Sequence, residues 1–113
     1  MPIHSTSSEL SAASLLARTA AGTSSWLNVS RYEQVHFYVE VTVVAGTSPV
    51  LTLWIEDSPD ATTAFPITAE YAMTAATTLR IPIAVSATYL RIRWEISGTT
   101  PSFTFQVTYI GKT

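Results

Sequence analysis

Apolar and polar side chains alternate along most of this 113-residue chain, and a period of two is typical of half-buried β-strands. The alternation is strongest in residues 35–44, 49–56, 90–96 and 103–109. It is weaker in residues 15–20, 25–29, 65–71 and 77–83. Pro82 falls inside the last of these segments and indicates an edge strand or a bulge, because proline has no N–H to donate to a neighbouring strand.

Turn-forming stretches rich in Gly, Pro, Ser and Thr separate these segments, and no helix is convincingly predicted. The only helical alternative is residues 8–18, where Leu10, Leu15 and Leu16 could share one face. Short strands at this spacing predict an all-β fold, either a single antiparallel β-sandwich or a jelly-roll-like barrel of about seven or eight strands. We expect residues 1–14 to form an extended N-terminal arm and residues 15–113 to form the sandwich domain.

The sequence GTSPVLTL at residues 46–53 is nearly repeated as GTTPSFTF at residues 98–105. Each copy joins two strong strand segments, so we expect both to be hairpin connections in a pseudo-symmetric sandwich. The alternative is a repeated ligand-binding loop. Before the turn the apolar positions are odd-numbered in the first copy and even-numbered in the second, which requires a bulge or a one-residue difference between the turns.

Composition narrows the range of partners. Hydrophobic residues make up 47% of the chain and charged residues only 12%, with a net charge of -2. A charge this small and this dispersed gives no electrostatic basis for binding nucleic acid or anionic membrane surfaces. With so little charge to cover the exterior, we expect protein neighbours to cover part of it, as in a homo-oligomer or a larger assembly.

The sequence also lacks the features of several kinds of site and targeting segment. There are no cysteines, which excludes disulfides and thiolate chemistry. No apolar run reaches the length of a membrane-spanning helix, and the first residues lack a basic leader, so we expect a soluble protein without a targeting signal.

Candidate catalytic residues are few. The two histidines, His4 and His36, have no spacing that joins them as metal ligands. Glu56, Asp57 and Asp60 offer oxygen ligands that could hold calcium, but they lie in a short proline-containing stretch of turn formers. Glu40, Glu56 and Glu95 could pair for glycoside cleavage, yet nothing distinguishes them from solvated surface residues. We therefore expect no enzymatic activity, no cofactor and no metal.

The expected hairpin of residues 35–56 would place Tyr38 and Trp54 on one outer face, flanked by His36, Glu40 and Glu56. Large aromatic side chains on an outer face are common interface anchors. Three explanations stay open: cover by another part of the same chain, contact with another subunit, or a sugar-stacking platform. Arg91, Arg93 and Glu95 form a second outer stripe, which we expect to be solvated or lightly paired.

Two long segments of the chain also resemble a known group of proteins. They are LLARTAAGTSSWLNVSRYEQVHFYVEVTVVAGTSPVLTLWIEDSPD, from Leu15, and YLRIRWEISGTTPSFTFQVTYIGK, which ends at Lys112. Together they are similar to small virion proteins of tailed bacteriophages, which share the A-R-T-A, V-T-x-V-x-G-T-x-P, S-P-D and G-T-T-P-S-F-T-F elements. Asn28 departs from a commonly acidic position, and ATTAF after S-P-D replaces the usual glycine and tryptophan.

This resemblance implies a structural virion protein with no catalytic residues, and we expect a capsid decoration or cement protein. The expected partners are the major capsid protein and sister subunits, on the capsid exterior after synthesis in the host cytoplasm. Candidate contact residues are Ile3 and Leu10 in the arm, together with Tyr38 and Trp54. The alternatives are a tail or neck protein of the virion, or a carbohydrate-binding module that uses Tyr38, Trp54 and Trp26.

Overall fold

The structure, a computed structural model, describes residues 5–6 and 11–112, and all of its regular elements are β-strands, as predicted. The strands are β1 (Ser5–Thr6), β2 (Ser11–Arg18), β3 (Gly22–Thr23), β4 (Leu27–Asn28), β5 (Gln34–Ser58), β6 (Phe65–Pro66), β7 (Tyr71–Met73), β8 (Thr77–Ala84) and β9 (Tyr89–Lys112). The helical alternative is wrong for residues 11–18, which form β2. All strand pairs are antiparallel, and together they form one hydrogen-bonded sheet.

The centre of the fold is a long ribbon in which β5 and β9 pair along their whole length. The pairing runs from Gln34 opposite Lys112, through Thr47 opposite Thr99, to Ser58 opposite Tyr89. The two repeated sequences therefore lie across from each other at the middle of the ribbon. The prediction that each copy is a hairpin connection is wrong, because the chain continues through both copies without reversing its strand partner.

The repeat marks a kink in the ribbon that is nearly two-fold symmetric. Gly46 and Gly98 have φ angles of 106° and 124°, a region that favours glycine. A Cβ on Gly46 would lie 2.6 Å from the Thr100 carbonyl oxygen, and one on Gly98 would lie 2.9 Å from the Ser48 carbonyl oxygen. Each glycine thus lets the backbone of the opposite strand approach closely, which explains why the chain carries this motif twice.

The phase difference between the two copies is explained by a bulge in β5. Val41 pairs with Phe105 but Val43 pairs with Thr104, so Thr42 is an extra residue on this strand. Its hydroxyl donates a hydrogen bond to the carbonyl oxygen of Thr104 at 3.3 Å. The predicted bulge is confirmed.

The kink folds the ribbon so that its two halves face each other. Trp94 and Phe105 lie on opposite sides of the kink, and a straight strand would separate them by about 36 Å. Their ring centroids are only 5.3 Å apart in an edge-to-face arrangement. The single sheet therefore forms two layers around one core, which is the sandwich that the alternation predicted.

Layer 1 contains residues 34–45 of β5 and 102–112 of β9, with β8 beside β5 and with β1 and β2 beside β9. Layer 2 contains residues 50–58 of β5 and 89–97 of β9, with β6 and β7 beside β5 and with β3 and β4 beside β9. Within the described residues β8 pairs only with β5, so Pro82 lies on an edge strand, as expected.

The inward-facing side chains form one buried cluster between the layers. Its largest fully buried members are Phe37, Phe103, Phe105, Leu51, Leu53, Ile55, Ile81, Leu90 and Ile92. Arg18 pairs with Phe103 at the end of β2 and packs against this core. Its guanidinium donates a hydrogen bond to the Phe105 carbonyl oxygen at 2.8 Å and lies over the Phe105 ring at 4.6 Å.

Candidate functional site

The outer faces of the two layers hold the surface residues that the sequence singled out. Tyr38 lies on the outer face of layer 1 and Trp54 on the outer face of layer 2. The expectation that they share a face is wrong, because it depended on the hairpin that the ribbon replaces. Ile3 and Leu10 lie outside the described residues.

Trp54 is covered by a later segment of its own chain. Only 8% of the residue is exposed. Ala64, Pro66, Thr68 and Ala69 line a cavity of about 470 Å³ with it. Two hydrogen bonds attach this segment to the centre of the layer, from Ile67 N–H to the Ile55 carbonyl oxygen (3.0 Å) and from Ile55 N–H to Thr68 Oγ1 (3.1 Å). Of the three explanations for an outer-face tryptophan, cover by the same chain describes Trp54.

Glu56 lies beside Trp54 at the centre of a polar network on layer 2. Its carboxylate accepts hydrogen bonds from Arg91 Nε (2.8 Å), Arg93 (3.5 Å) and Trp54 Nε1 (3.4 Å), and the residue is 3% exposed. Arg91 lies over the ring of Trp26 at 4.3 Å, and Arg93 lies over the ring of Trp54 at 5.1 Å. We define Trp26, Arg91, Glu56, Arg93 and Trp54 as the layer 2 network, in which each charge already has a partner inside the chain.

In the acidic stretch after Glu56, Asp60 stabilises the turn that leads into the covering segment. Asp60 Oδ1 accepts hydrogen bonds from the Ser58 hydroxyl and from the backbone N–H groups of Thr62 and Thr63. The backbone donors of Thr63 and Thr62 are the main cause that lowers the pKa of Asp60, whereas burial raises the pKa of Asp57. Among the described residues, no three acidic or histidine side chains converge as metal ligands.

This turn contains one of the positions at which the chain departs from the phage virion sequences. Ala61 follows S-P-D, where those proteins usually have glycine, and its φ is 61°. Alanine is strained in this left-handed region and glycine is not, so the usual glycine fits the backbone better. The residue type at position 61 therefore affects the conformation of the turn.

The outer face of layer 1 has no comparable covering segment among the described residues. Tyr38 lies between Arg80 on β8 and Thr108 on β9, and in the next row Glu40 lies between Thr78 and Gln106. These six residues line a shallow groove of about 290 Å³. Glu40 accepts a hydrogen bond from Gln106 Nε2 at 2.8 Å, and both Glu40 and Arg80 are exposed.

His36 lies next to this groove on the same face. Its Nδ1 is buried and has no hydrogen-bond partner. Burial lowers the pKa of His36, and the positive charges of Lys112 and Arg80 lower it further. The sequence contained no signal for this arrangement, since Arg80, His36 and Lys112 meet only through the pairing of three strands.

The chain belongs to the family described as the Uncharacterised protein YqxG N-terminal domain, which matches residues 11–108. No helix in the described part of the chain is long and apolar enough to cross a membrane. A search among curated proteins gave no match.

Two solved structures share the fold. The PBSX exported protein XepA matches with a TM-score of 0.60 at 19% identity, over 88% of this chain. A chain in the cryo-EM structure of Broad Bean Stain Virus matches with a TM-score of 0.50 at 14% identity, over 85% of this chain. The matched region spans 34% of the XepA chain and 62% of the viral chain, so each of these proteins contains more than this fold.

Proposed function

We propose that this member of the YqxG N-terminal domain family is a non-enzymatic structural protein of a bacteriophage virion. Its role is that of a capsid decoration or cement protein, which binds the major capsid protein lattice from the outside. The uncovered outer face of layer 1 is the observation that carries the proposal, because it is a broad strand surface with an aromatic centre and no covering segment among the described residues.

The contrast with layer 2 supports an adhesive role for layer 1. On layer 2 the aromatic and charged side chains contact one another, and residues 64–69 lie beside Trp54, Glu56 and Arg93. On layer 1 Tyr38 and its neighbours lie along an open groove. A central aromatic residue within a polar surround is a common arrangement in protein interfaces.

The virion location is supported by the sequence and by the fold. The resemblance to phage virion proteins extends from Leu15 to Lys112, most of the chain. The fold recurs in the PBSX exported protein XepA and in the structure of Broad Bean Stain Virus. A protein that decorates a lattice acts through many identical contacts, so that individually weak interfaces stabilise the shell by mass action.

A carbohydrate-binding role has less support. Sugar stacking needs an accessible ring face, but Trp54 is 8% exposed and Arg91 lies over the ring of Trp26. Of the three aromatic residues proposed for it, Tyr38 alone borders the open groove on layer 1.

The test is to mix the purified full-length protein with capsids of its phage that were assembled without it, and to image the product by cryo-electron microscopy. We expect added density at symmetry-related positions on the outside of the lattice. Empty lattice positions together with density on isolated tails or necks would instead assign the protein to the tail. Binding to neither, with retention on a glycan array, would favour the carbohydrate-binding alternative.

A further inference from the structure

We infer that the outer face of layer 1 binds a protein surface bearing at least two carboxylates, which Arg80 and Lys112 engage on either side of His36. The inference deepens the proposed function and rests on it, since the partner is the capsid surface. It names the chemistry that this partner must present.

Strand pairing fixes the arrangement of the three residues. His36 on β5 lies opposite Pro82 on β8 and Ile110 on β9. Arg80 is one outward-facing position from Pro82 along β8, and Lys112 is one outward-facing position from Ile110 along β9. All of these side chains project from the same face, because paired residues and every second residue along a strand share a face.

Neither Arg80 nor Lys112 has an acidic partner in the described part of the chain. The ion pairs there join Arg91 and Arg93 to Glu56, and Arg93 to Glu95, all on layer 2. Glu40, the acid on the same face of β5, accepts its hydrogen bond from Gln106. Two cations on one face, with no acidic partner among the described residues, form a local positive site on a chain whose net charge is -2.

The spacing of the cations indicates what the partner carries. Arg80 lies opposite Tyr38 and Lys112 lies opposite Gln34, so the two residues are two strands apart and four residues apart along the strands. This offset places their Cα atoms about 16 Å apart on a regular sheet. One carboxylate cannot contact both residues, whereas two acidic side chains about four residues apart in an extended segment match this span. Tyr38, Pro82 and Ile110 lie beside the cations and supply apolar contact area.

A protein partner fits this face better than a nucleic acid. Nucleic-acid affinity at physiological salt comes from many phosphate contacts, and this face offers two cations on an acidic protein. Two charges with an aromatic and apolar centre are sufficient for a protein interface, in which charges steer association and oppose wrong partners.

The experiment measures binding of charge-reversal variants to the same capsids assembled without the protein. Arg80→Glu and Lys112→Glu are compared with Arg31→Glu, which changes the net charge equally. Arg31 lies in the segment before β5, where it contacts Tyr32 and is outside the layer 1 face. Thermal unfolding and circular dichroism first establish that each variant is folded. If a charge-reversal variant is not folded, the neutral variant Arg80→Gln or Lys112→Gln replaces it in the binding measurement.

We expect Arg80→Glu and Lys112→Glu each to weaken capsid binding by about tenfold or more, and Arg31→Glu to change it by less than about twofold. Wild-type binding should also weaken as NaCl rises, more steeply than binding of either variant. Wild-type affinity in both variants would overturn the inference and leave the proposed function intact. Equal weakening by all three reversals, or tight binding of wild type to duplex DNA, would also overturn it. Absence of wild-type binding would overturn the proposed function and the inference with it.

Discussion

Both layers place an aromatic residue and a glutamate two positions apart on the outer face of β5: Tyr38 and Glu40 on layer 1, and Trp54 and Glu56 on layer 2. The environments of the two pairs are nevertheless different. Residues 64–69 cover Trp54, and Glu56 contacts two arginines. Tyr38 borders an open groove, and Glu40 is exposed.

The comparison shows that alternation identifies an outer face without showing what covers it. The cover of Trp54 on layer 2 comes from a segment that begins after β5 has ended, and the turn at Asp60 directs this segment back alongside the strand. The same local pattern therefore stabilises the domain in one layer and leaves a surface free for a partner in the other. Four measurements test this difference between the layers.

The largest difference is expected between the two aromatic residues. Trp54→Ala should lower the free energy of unfolding by about 3 kcal/mol, because it removes a buried ring and its stacking with Arg93. Tyr38→Ala should lower it by about 1 kcal/mol or less, because the ring is only half-buried. Denaturant unfolding measures both values. Equal losses would show that the two outer faces are equally important for folding.

Substitution of Glu56 should also destabilise the protein more than substitution of Glu40. Glu56→Ala leaves Arg91, Arg93 and the indole N–H of Trp54 without their shared acceptor, and we expect a loss of about 2 kcal/mol. Glu40→Ala removes one exposed hydrogen bond and should cost about 0.5 kcal/mol or less. If the Glu40 variant were the less stable one in urea, the larger contribution of Glu56 to stability would be contradicted.

The turn that leads into this segment offers a stabilising change. Ala61→Gly should raise the free energy of unfolding by about 0.5 kcal/mol, because glycine adopts the φ of 61° without strain. Ala69→Gly is the matched control in the same segment, where φ is not positive, and it should cost about 0.5 kcal/mol. A destabilised Ala61→Gly variant would show that the turn tolerates alanine without strain.

The smallest effect is expected from His36, and it depends on pH. Because the pKa of His36 is lowered in the folded protein, the unfolded chain takes up the proton first as pH falls below about 6.5. Wild-type stability should therefore decrease relative to His36→Gln between pH 7 and pH 5, and the difference should be constant above pH 7. Parallel stability curves for the two proteins across this range would contradict the unfavourable positive surroundings of His36.

Much of the fold was predictable from the sequence because its strands are half-buried. The phase change between odd-numbered Val41 and even-numbered Trp94 predicted a bulge, which lies at Thr42. The strand partners were not predictable, because a Gly-Thr-x-Pro segment is as compatible with a hairpin turn as with a kink in a continuous strand. The choice depends on the segment opposite, at Thr99, more than fifty residues away in the chain.

The candidate surface was predictable only in part. Tyr38 was placed on an outer face because it alternates with the apolar residues of its strand. Trp54 was assigned to the same face because the expected hairpin would have brought the two strands together. Arg80 and Lys112 were not identified, because each is an isolated charge in the sequence and they flank His36 only after three strands have paired.

The ribbon of β5 and β9 also has a consequence for the order in which the protein folds. Pairing Ser58 with Tyr89 closes a loop of about thirty residues, whereas pairing Gln34 with Lys112 closes one of nearly eighty. Short loops cost less chain entropy to close, so the ribbon should zip from layer 2 through the kink to layer 1. Substitutions in layer 2 should then slow folding, and those in layer 1 should mainly speed unfolding, which stopped-flow kinetics can measure. The layer proposed to bind the capsid would be the last to form and the first to open.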